Sequence, residues 1–371
     1  MSEGLKTLKL LFKSLFVLAN VLIVVLLIAS AYSDRVSPDT MLGFSYLGLA
    51  FPILCVLNLC FVLYWLFLWE WRFLLIGLCS FLICWGPVKK YFPYHSRVKD
   101  IPQENVLKVL TYNVMGFAYK DHTKESPNKI IEYIANSGAD IVCLQEYAVG
   151  KLDRFLTPKK VYQALDMYPY RSVIPINSSG YLNVGIAVFS KYPISNSRRI
   201  KYESEFNGSS VHELNVKGKK LTLINNHLES FKLTMEDRSR YTAFIKNIST
   251  DTFDGIKGAL EQKLGPAFKI RAKQAEAVAA EVARAKGDYV LVCGDFNDTP
   301  ISYAHRTIQG PLVDSFAESG LGMGVTYNQN MFWFRIDNIL HSKNMKSMNC
   351  TIDKIRYSDH YPLWCYLSME E

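Results

Sequence analysis

Hydrophobic positions run in blocks at the start of the chain and in short alternating runs after it. Residues 14–31, 40–69 and 73–88 form three stretches of 18, 30 and 16 residues without a charged side chain. A helix crossing the roughly 30 Å hydrocarbon core needs about 20 apolar residues, so the pattern predicts three membrane-spanning helices over 14–31, 42–69 and 73–88. Trp69, Trp71 and Trp85 stand at span ends, where an aromatic belt belongs. The first stretch also has the form of a cleaved signal peptide, with Lys6, Lys9 and Lys13 before it and Ala-Ser-Ala closing it at Ala31. Lys89, Lys90, Arg97 and Lys99 pull the far end of the block inward. The first span usually dominates, and both readings then place the following domain outside. The expected location is multi-pass in the cytoplasmic (inner) membrane, with the soluble part on the outer, periplasmic side. Residues 89–105 contain two prolines, four basic residues and no periodicity, and read as a linker.

From Val106 the pattern changes to apolar runs of strand length separated by helical stripes. "VLKVLTYNV" and "DIVCLQE" flank "SPNKIIEYIANSG", a β-α-β unit in which Ser126 caps, Pro127 suits the first turn and Gly138 terminates. "VGIAVFSKYPI" is a strand ending at a turn, and Lys217-Gly218 joins two strands as a hairpin. Helical stretches follow at 236–248 and 266–286, and "DYVLVCGDFND", "FRIDNILHS" and "PLWCYL" close the chain as strands. The expected architecture for 106–371 is a mixed α/β sandwich, preceded by the membrane module over 1–88.

Composition sharpens this division. The chain has 371 residues, 49% hydrophobic and 20% charged, with mean hydropathy +0.05. That excludes a disordered chain, a disulfide-stapled miniature and a wholly embedded protein. Five of 42 basic and four of 34 acidic side chains lie in residues 1–86, which leaves the soluble part with a net charge of +7. Such a balance suits an anionic partner. Four of the eight cysteines, Cys143, Cys293, Cys350 and Cys365, belong to the soluble part; none forms a CxxC pair, and Cys143 and Cys293 read as small core residues.

Candidate chemistry lies where the apolar runs end: Asn113, Glu146, His227, Asp295, Asn297, Asp337, Asp359 and His360. A buried strand that delivers a carboxylate, amide or imidazole at its tip is how α/β enzymes assemble a site. Carboxylates and amides without a cysteine-rich ligand set suit a hard divalent cation, magnesium or manganese. The chemistry suggested is metal-assisted phosphoester hydrolysis.

The motifs "LTYNVMGF", "VCLQE", "NNHL", "CGDFND", "FRIDNILHS" and "SDHYPL", in this order, resemble the endonuclease/exonuclease/phosphatase superfamily over residues 106–367. The resemblance implies a four-layer α/β/β/α sandwich and a Mg2+ (or Mn2+) site. It implies Glu146 as the main metal ligand, with Asn113 and Asp359 beside the metal. Asp295 would orient or deprotonate water, Asn297 would hold that water or a phosphate oxygen, and His360 would contact the phosphate with Asp337 fixing its tautomer. His227 would contact the phosphate from the other side, and Tyr170 would line the substrate site. Read one by one, Asp337 could instead partner Arg335, Asp298 could cap a helix, and Tyr170 could be core. Met115, "DTP" after "GDFN", and Arg335-Ile336-Asp337-Asn338 depart from apurinic-site endonucleases and inositol 5-phosphatases. The chain looks more like sphingomyelinase-like and bacterial membrane-anchored members.

Three functions follow: a membrane-anchored phosphodiesterase acting on a phospholipid-like or phosphorylated-metabolite substrate, a membrane-tethered nuclease on DNA or RNA, and a non-catalytic binding protein. No obligate protein partner is evident in the sequence. Phe253, Phe268, Lys269, Arg271 and Lys273 are read as a surface helix, or alternatively as a lid or membrane-facing patch.

Overall fold

The computed structural model describes residues 3–369 apart from 103, 153–154, 233, 248, 250, 252–256, 259 and 330–332. The chain forms two compact units, one of residues 1–91 with 301–303, the other of 92–300 and 304–371.

In the first unit, α1 (Glu3–Ala31) and α2 (Gly43–Phe67) are each long and apolar enough to cross a membrane. The third predicted span is broken. It consists of α3 (Trp71–Ile83) and α4 (Trp85–Tyr91), bent by 66° to one another, so the unit holds two spans, or three if the bent pair is one. Pro87 accounts for the break. It has no N–H to donate to the end of α3 and sits in the first turn of α4, where that donor would be unpaired anyway, whereas Pro52 is carried inside α2. Polar groups inside this bundle find partners across helices: Trp65 Nε1 donates to Asn20 Oδ1 at 3.0 Å, and Asn58 Nδ2 donates to Ser80 Oγ at 3.1 Å. In an apolar bundle such bonds act as interhelical glue.

The second unit contains two six-stranded sheets. With β5 at Ile194–Arg199, β9 at Val313–Asp314, β11 at Met345–Ile352, β12 at Leu363–Met369 and the others as given below, the first runs β11-β12-β1-β2-β4-β3 and the second β5-β6-β7-β8-β10-β9. In the first sheet, β1 (Val106–Asn113) and β2 (Ile141–Gly150) are parallel across helix α5 (Lys129–Asn136), and β3 is Tyr170–Ser179 and β4 Leu182–Ser190. In the second, β6 (Gly208–Val216) and β7 (Lys219–His227) form the expected hairpin, with Lys217 and Gly218 both at positive φ. Strand β8 (Tyr289–Asp295) lies between β7 and β10 (Asp337–His341).

Apolar residues of both sheets share one core, which includes Val109, Cys143, Val188, Leu223, Cys293, Ile339 and Cys365. Each outer face is covered by helices. Ile130, Ile131 and Ile134 of α5 and Val161 of α6 (Pro158–Ala164) cover the first sheet. Past α7 (Met235–Lys246), α8 (Gly265–Arg284) covers the second through Ala275, Val278 and Val282. These are the four layers that the resemblance implies, within the mixed α/β sandwich that the strand–helix pattern predicts. The cap of α5 differs from expectation: Asn128, not Ser126, accepts from the N–H groups of Ile130 and Ile131, which moves the helix start past Pro127.

Part of the expected linker is fastened to this second unit. Gly322 N donates to Pro93 O at 2.8 Å, and Tyr94 bridges Leu321. Val98 donates its N–H to Asn349 Oδ1 and accepts from Asn349 Nδ2, both at 2.8 Å.

A buried imidazole makes the stability of the second unit depend on pH. His212 of β6 lies between Ser197 Oγ at 2.8 Å and Ser210 Oγ at 2.7 Å, and burial lowers its pKa from 6.5 to about 4. The unfolded chain therefore binds the proton first, and the stabilisation present above pH 6.5 is lost as pH falls toward 4. The loss amounts to roughly 3 kcal/mol. Amide hydrogen exchange of β6 in the full chain should show that fall between pH 7 and pH 4.5, and His212→Gln should remove the His212 share of it.

Candidate active site

The sheet register assembles the candidate residues. On the second sheet His227 pairs with Asp295 across β7 and β8, and Asp295 pairs with Asp337 across β8 and β10. One row of three adjacent strands thus carries an imidazole and two carboxylates. Gly294, just before Asp295, has φ +126°, and a Cβ there would lie 2.0 Å from Asn226 O, so only glycine permits this close approach of β8 to β7.

The first sheet supplies Asn113 at the end of β1 and Glu146 within β2. Glu146 is brought in by a bulge. Strand β4 pairs with Leu144 and then with Tyr147, so that Gln145 and Glu146 together face a single residue, and Glu146 takes φ +51°. Asn113 joins the two sheets, its Nδ2 donating to Glu146 Oε1 and to Asp295 Oδ2, each at 3.1 Å. His227 Nε2 lies 3.6 Å from Glu146 Oε1 and 3.8 Å from Asp295 Oδ2.

The remaining candidates close around this row. His360 Nδ1 meets Asp337 Oδ2 at 2.8 Å, and its Nε2 lies 3.6 Å from Asp295 Oδ2. Asn297, at φ +50°, donates its N–H to Asp295 Oδ1 at 2.8 Å and its Nδ2 to Leu228 O at 2.8 Å. Asp359 is tied in through Ser358, whose Oγ lies 2.8 Å from Asn113 O and 3.2 Å from Asp359 Oδ1. Arg335 forms its bidentate pair with Asp314, at 3.0 and 2.8 Å, which leaves the Asp337 carboxylate to His360.

Electrostatics follow from this crowding. Burial, and then Asp359, push the Glu146 carboxyl up, against the Asn113 hydrogen bond and His360. Burial also holds Asp295 above the usual carboxylate range; Asp337 adds to this, and His360 and His227 oppose it. Burial would lower His360, but Asp337 and Asp295 outweigh it and hold the ring well above its ordinary value. His227 is lowered, chiefly by burial, against the pull of Asp295. Four carboxyl groups and two imidazoles thus crowd one site. Asp337 Oδ1 is, in addition, buried without a hydrogen-bond partner among the described residues. An oxygen-rich, under-neutralised cluster of this kind fits a hard divalent cation. Donor atoms of Asp295, Asp337 and His360 lie within 4.8 Å of one another. His360 and Asp337 are already hydrogen-bonded to each other, and the Asn113 amide is engaged at Nδ2 by Glu146 and Asp295 and at Oδ1 by Met115 N, so the Glu146 and Asp359 carboxylates are the freer groups to hold an ion.

Two expectations are corrected. Tyr170 is not brought to the cluster: it pairs with Ser190, which pairs with Ile141, five residues before Glu146 along β2. At ~3.3 Å per residue that is about 16 Å away. Arg271 is no surface residue but fully buried, as is Phe268; Lys269 and Lys273 are exposed, and Phe253 lies outside the described residues.

Arg271 is also the residue that sequence reasoning missed. Its Nη1 donates to Glu229 O at 2.8 Å and to Asn297 O at 2.5 Å, its Nε lies 3.0 Å from Asp298 Oδ2, and its guanidinium stacks on Phe231. It clamps the turns that follow β7 and β8. Asp298 is therefore this arginine's partner rather than a helix cap. The signal available was an arginine on the apolar stripe of a helix, three residues before Gln274, whose Oε1 accepts from Glu229 N at 2.7 Å.

Comparison with known proteins agrees with the geometry. Residues 110–360 match the Endonuclease/Exonuclease/phosphatase family, and residues 13–91 match a family described only as a domain of unknown function. No curated protein matches the chain significantly. Among solved structures, an endonuclease/exonuclease/phosphatase from Beutenbergia cavernae aligns with TM-score 0.50 and 14% identity over 72% of each chain. The human Nocturnin catalytic domain with bound sulfate aligns at 0.48 and 18%, over 72% of this chain and 96% of that one. D. rerio TDP2 complexed with a single-strand DNA product aligns at 0.46 and 18%, over 71% and 99%. The first of these supports the fold; the other two score too low to argue from.

Replacing the clamp tests it. Arg271→Met leaves the buried Asp298 carboxylate unpaired and should cost roughly 3–5 kcal/mol of stability. Arg271→Lys restores the charge but not the fork and should recover only part of this, as read from thermal unfolding.

Proposed function

The chain belongs to the endonuclease/exonuclease/phosphatase family, whose members are metal-dependent phosphoric ester hydrolases, and we propose that it is a membrane-anchored phosphodiesterase using Mg2+, with Mn2+ as a substitute. Membership in a family of enzymes favours the catalytic reading over the non-catalytic alternative. The observation that carries the reading is the row His227–Asp295–Asp337, met across the sheet interface by Asn113 and Glu146.

In the proposed mechanism Glu146 and Asp359 hold the cation, with Asn113 beside it. When bound, it draws charge from the phosphoryl oxygens as a Lewis acid. Asp295, a buried carboxylate with raised proton affinity, receives a proton from the attacking water at Oδ2, while the Asn297 amide orients that water or a phosphate oxygen. His360 presents Nε2 to the phosphate, with its Nδ1 proton held by Asp337. His227, beside Glu146 and Asp295, approaches the phosphate from the opposite side.

The two spanning-length helices support a membrane anchor and a substrate found near the membrane, either phospholipid-like or a phosphorylated metabolite. We place the catalytic unit on the outer, periplasmic face of the cytoplasmic membrane. A second reading, a nuclease acting on DNA or RNA, is favoured by the +7 charge of the soluble part.

With Mg2+, the full chain in detergent should hydrolyse bis(p-nitrophenyl) phosphate, and chelation should stop it. Asp295→Asn and His360→Ala should each lower kcat at least about 100-fold. Undiminished turnover in both variants would sink the site assignment. Retention in the membrane pellet after alkaline carbonate extraction tests the anchor, and plasmid nicking tests the nuclease reading.

A further inference from the structure

After Asn113 the backbone turns left-handed for five consecutive residues: Met115, Gly116, Phe117, Ala118 and Tyr119 have φ between +45° and +60°. For non-glycine residues this conformation costs roughly 1–2 kcal/mol each, so the surroundings must enforce it. Met115 N donates to Asn113 Oδ1 at 3.1 Å, which fixes the turn to the candidate metal site. Phe117 is fully buried and packs edge-on against Tyr147 with centroids 5.5 Å apart. Asn128 Nδ2 donates to Phe117 O at 2.9 Å and to Lys120 O at 3.1 Å.

All this anchoring delivers one side chain. Tyr119 is 72% exposed, yet its ring lies against Gly116: a Cβ at Gly116 would meet Tyr119 Cε1 at 2.9 Å and Ala148 Cβ at 3.3 Å. Ala148 is two residues beyond Glu146 on β2. Desolvation, and then the Glu146 and Asp359 carboxylates, raise the Tyr119 hydroxyl. A flat aromatic surface held by backbone geometry loses little entropy when a second ring stacks on it.

We propose that Tyr119 is a specificity-determining residue, a fixed stacking platform that selects phosphoesters carrying a planar ring such as a nucleobase beside the phosphate. This rests on the reading of Glu146, Asp295 and His360 as a phosphoester site, and it favours the phosphorylated metabolite over the phospholipid. Base–aromatic stacking contributes roughly 1–3 kcal/mol, which is about a 5- to 150-fold difference in affinity.

The test measures binding by calorimetry to the full chain in detergent with Mg2+, using AMP, ribose 5-phosphate and glycerophosphocholine as probes. AMP should bind at least about fivefold more tightly than ribose 5-phosphate. That preference should vanish in Tyr119→Ala, persist in Tyr119→Phe, and weaken in Gly116→Ala, where the new Cβ displaces the ring. Equal binding of AMP and ribose 5-phosphate, no binding of either, or a preference that survives Tyr119→Ala would overturn the proposal. Tighter binding of glycerophosphocholine than of AMP would also overturn it and assign the platform to a lipid headgroup. Because the readout is binding, a chain that keeps the ring preference but hydrolyses no phosphodiester upholds the platform while refuting the hydrolase reading.

Discussion

Everything at the candidate site depends on two sheets meeting in one register, and buried amides hold that register. Apolar burial between sheets is non-directional and would tolerate a small slide. Asn113 spans the gap to Asp295, and beneath it Gln145 Nε2 donates to Asn225 Oδ1 at 2.7 Å, while Asn225 Nδ2 donates to Ala187 O at 3.1 Å and Leu144 O at 3.2 Å. All three amide side chains are buried, so a slide would strand donors and acceptors at about 1–3 kcal/mol apiece. Half of the cluster comes from each sheet. The polar interior is therefore the alignment device for the chemistry above it.

The functional positions are also where local backbone rules are broken. Glu146, Asn297 and Met115–Tyr119 all sit at positive φ without being glycine, Gly116 apart. Each departure re-aims a side chain that a regular strand would have pointed elsewhere, and each is held by neighbours that over-determine it, as the Asn128 amide does for Phe117 and Arg271 for Asn297.

This explains what the sequence made legible. Apolar runs ending in Asn113, Glu146, His227 and Asp295 announced both strands and site, because burial dictates the run and chemistry dictates its last residue. The helical break at Cys84 was less visible, since hydropathy counts residues and ignores the missing amide of Pro87. Tyr170 was misplaced because a motif gives order along the chain, whereas reaching the site depends on strand register. Strand β3 and strand β11 (Met345–Ile352) lie at the two edges of their sheet, and their weak apolar pattern hid them. Arg271 was hidden for the opposite reason: a charge on a helix reads as solvated unless its partners, two carbonyls and a carboxylate from distant loops, are known.

The strap formed by residues 93–98 bears on the edges of the fold. Strand β11 ends the first sheet, and an uncovered edge strand is a template for pairing with another molecule. Val98 occupies the side-chain amide of Asn349, a left-handed residue where β11 slips register against β12 (Leu363–Met369), and Tyr94 and Pro93 occupy the backbone around Leu321. The residues that lead into the domain are thus tied to its border, while Glu318 Oε2 and Ser319 Oγ occupy the outward N–H groups of Ser347 and Cys350 on β11 itself. A soluble fragment begun at Val106 would keep the cover of β11 by residues 315–319 but lose the ties to Asn349 and Gly322, whereas one begun at Phe92 would keep both.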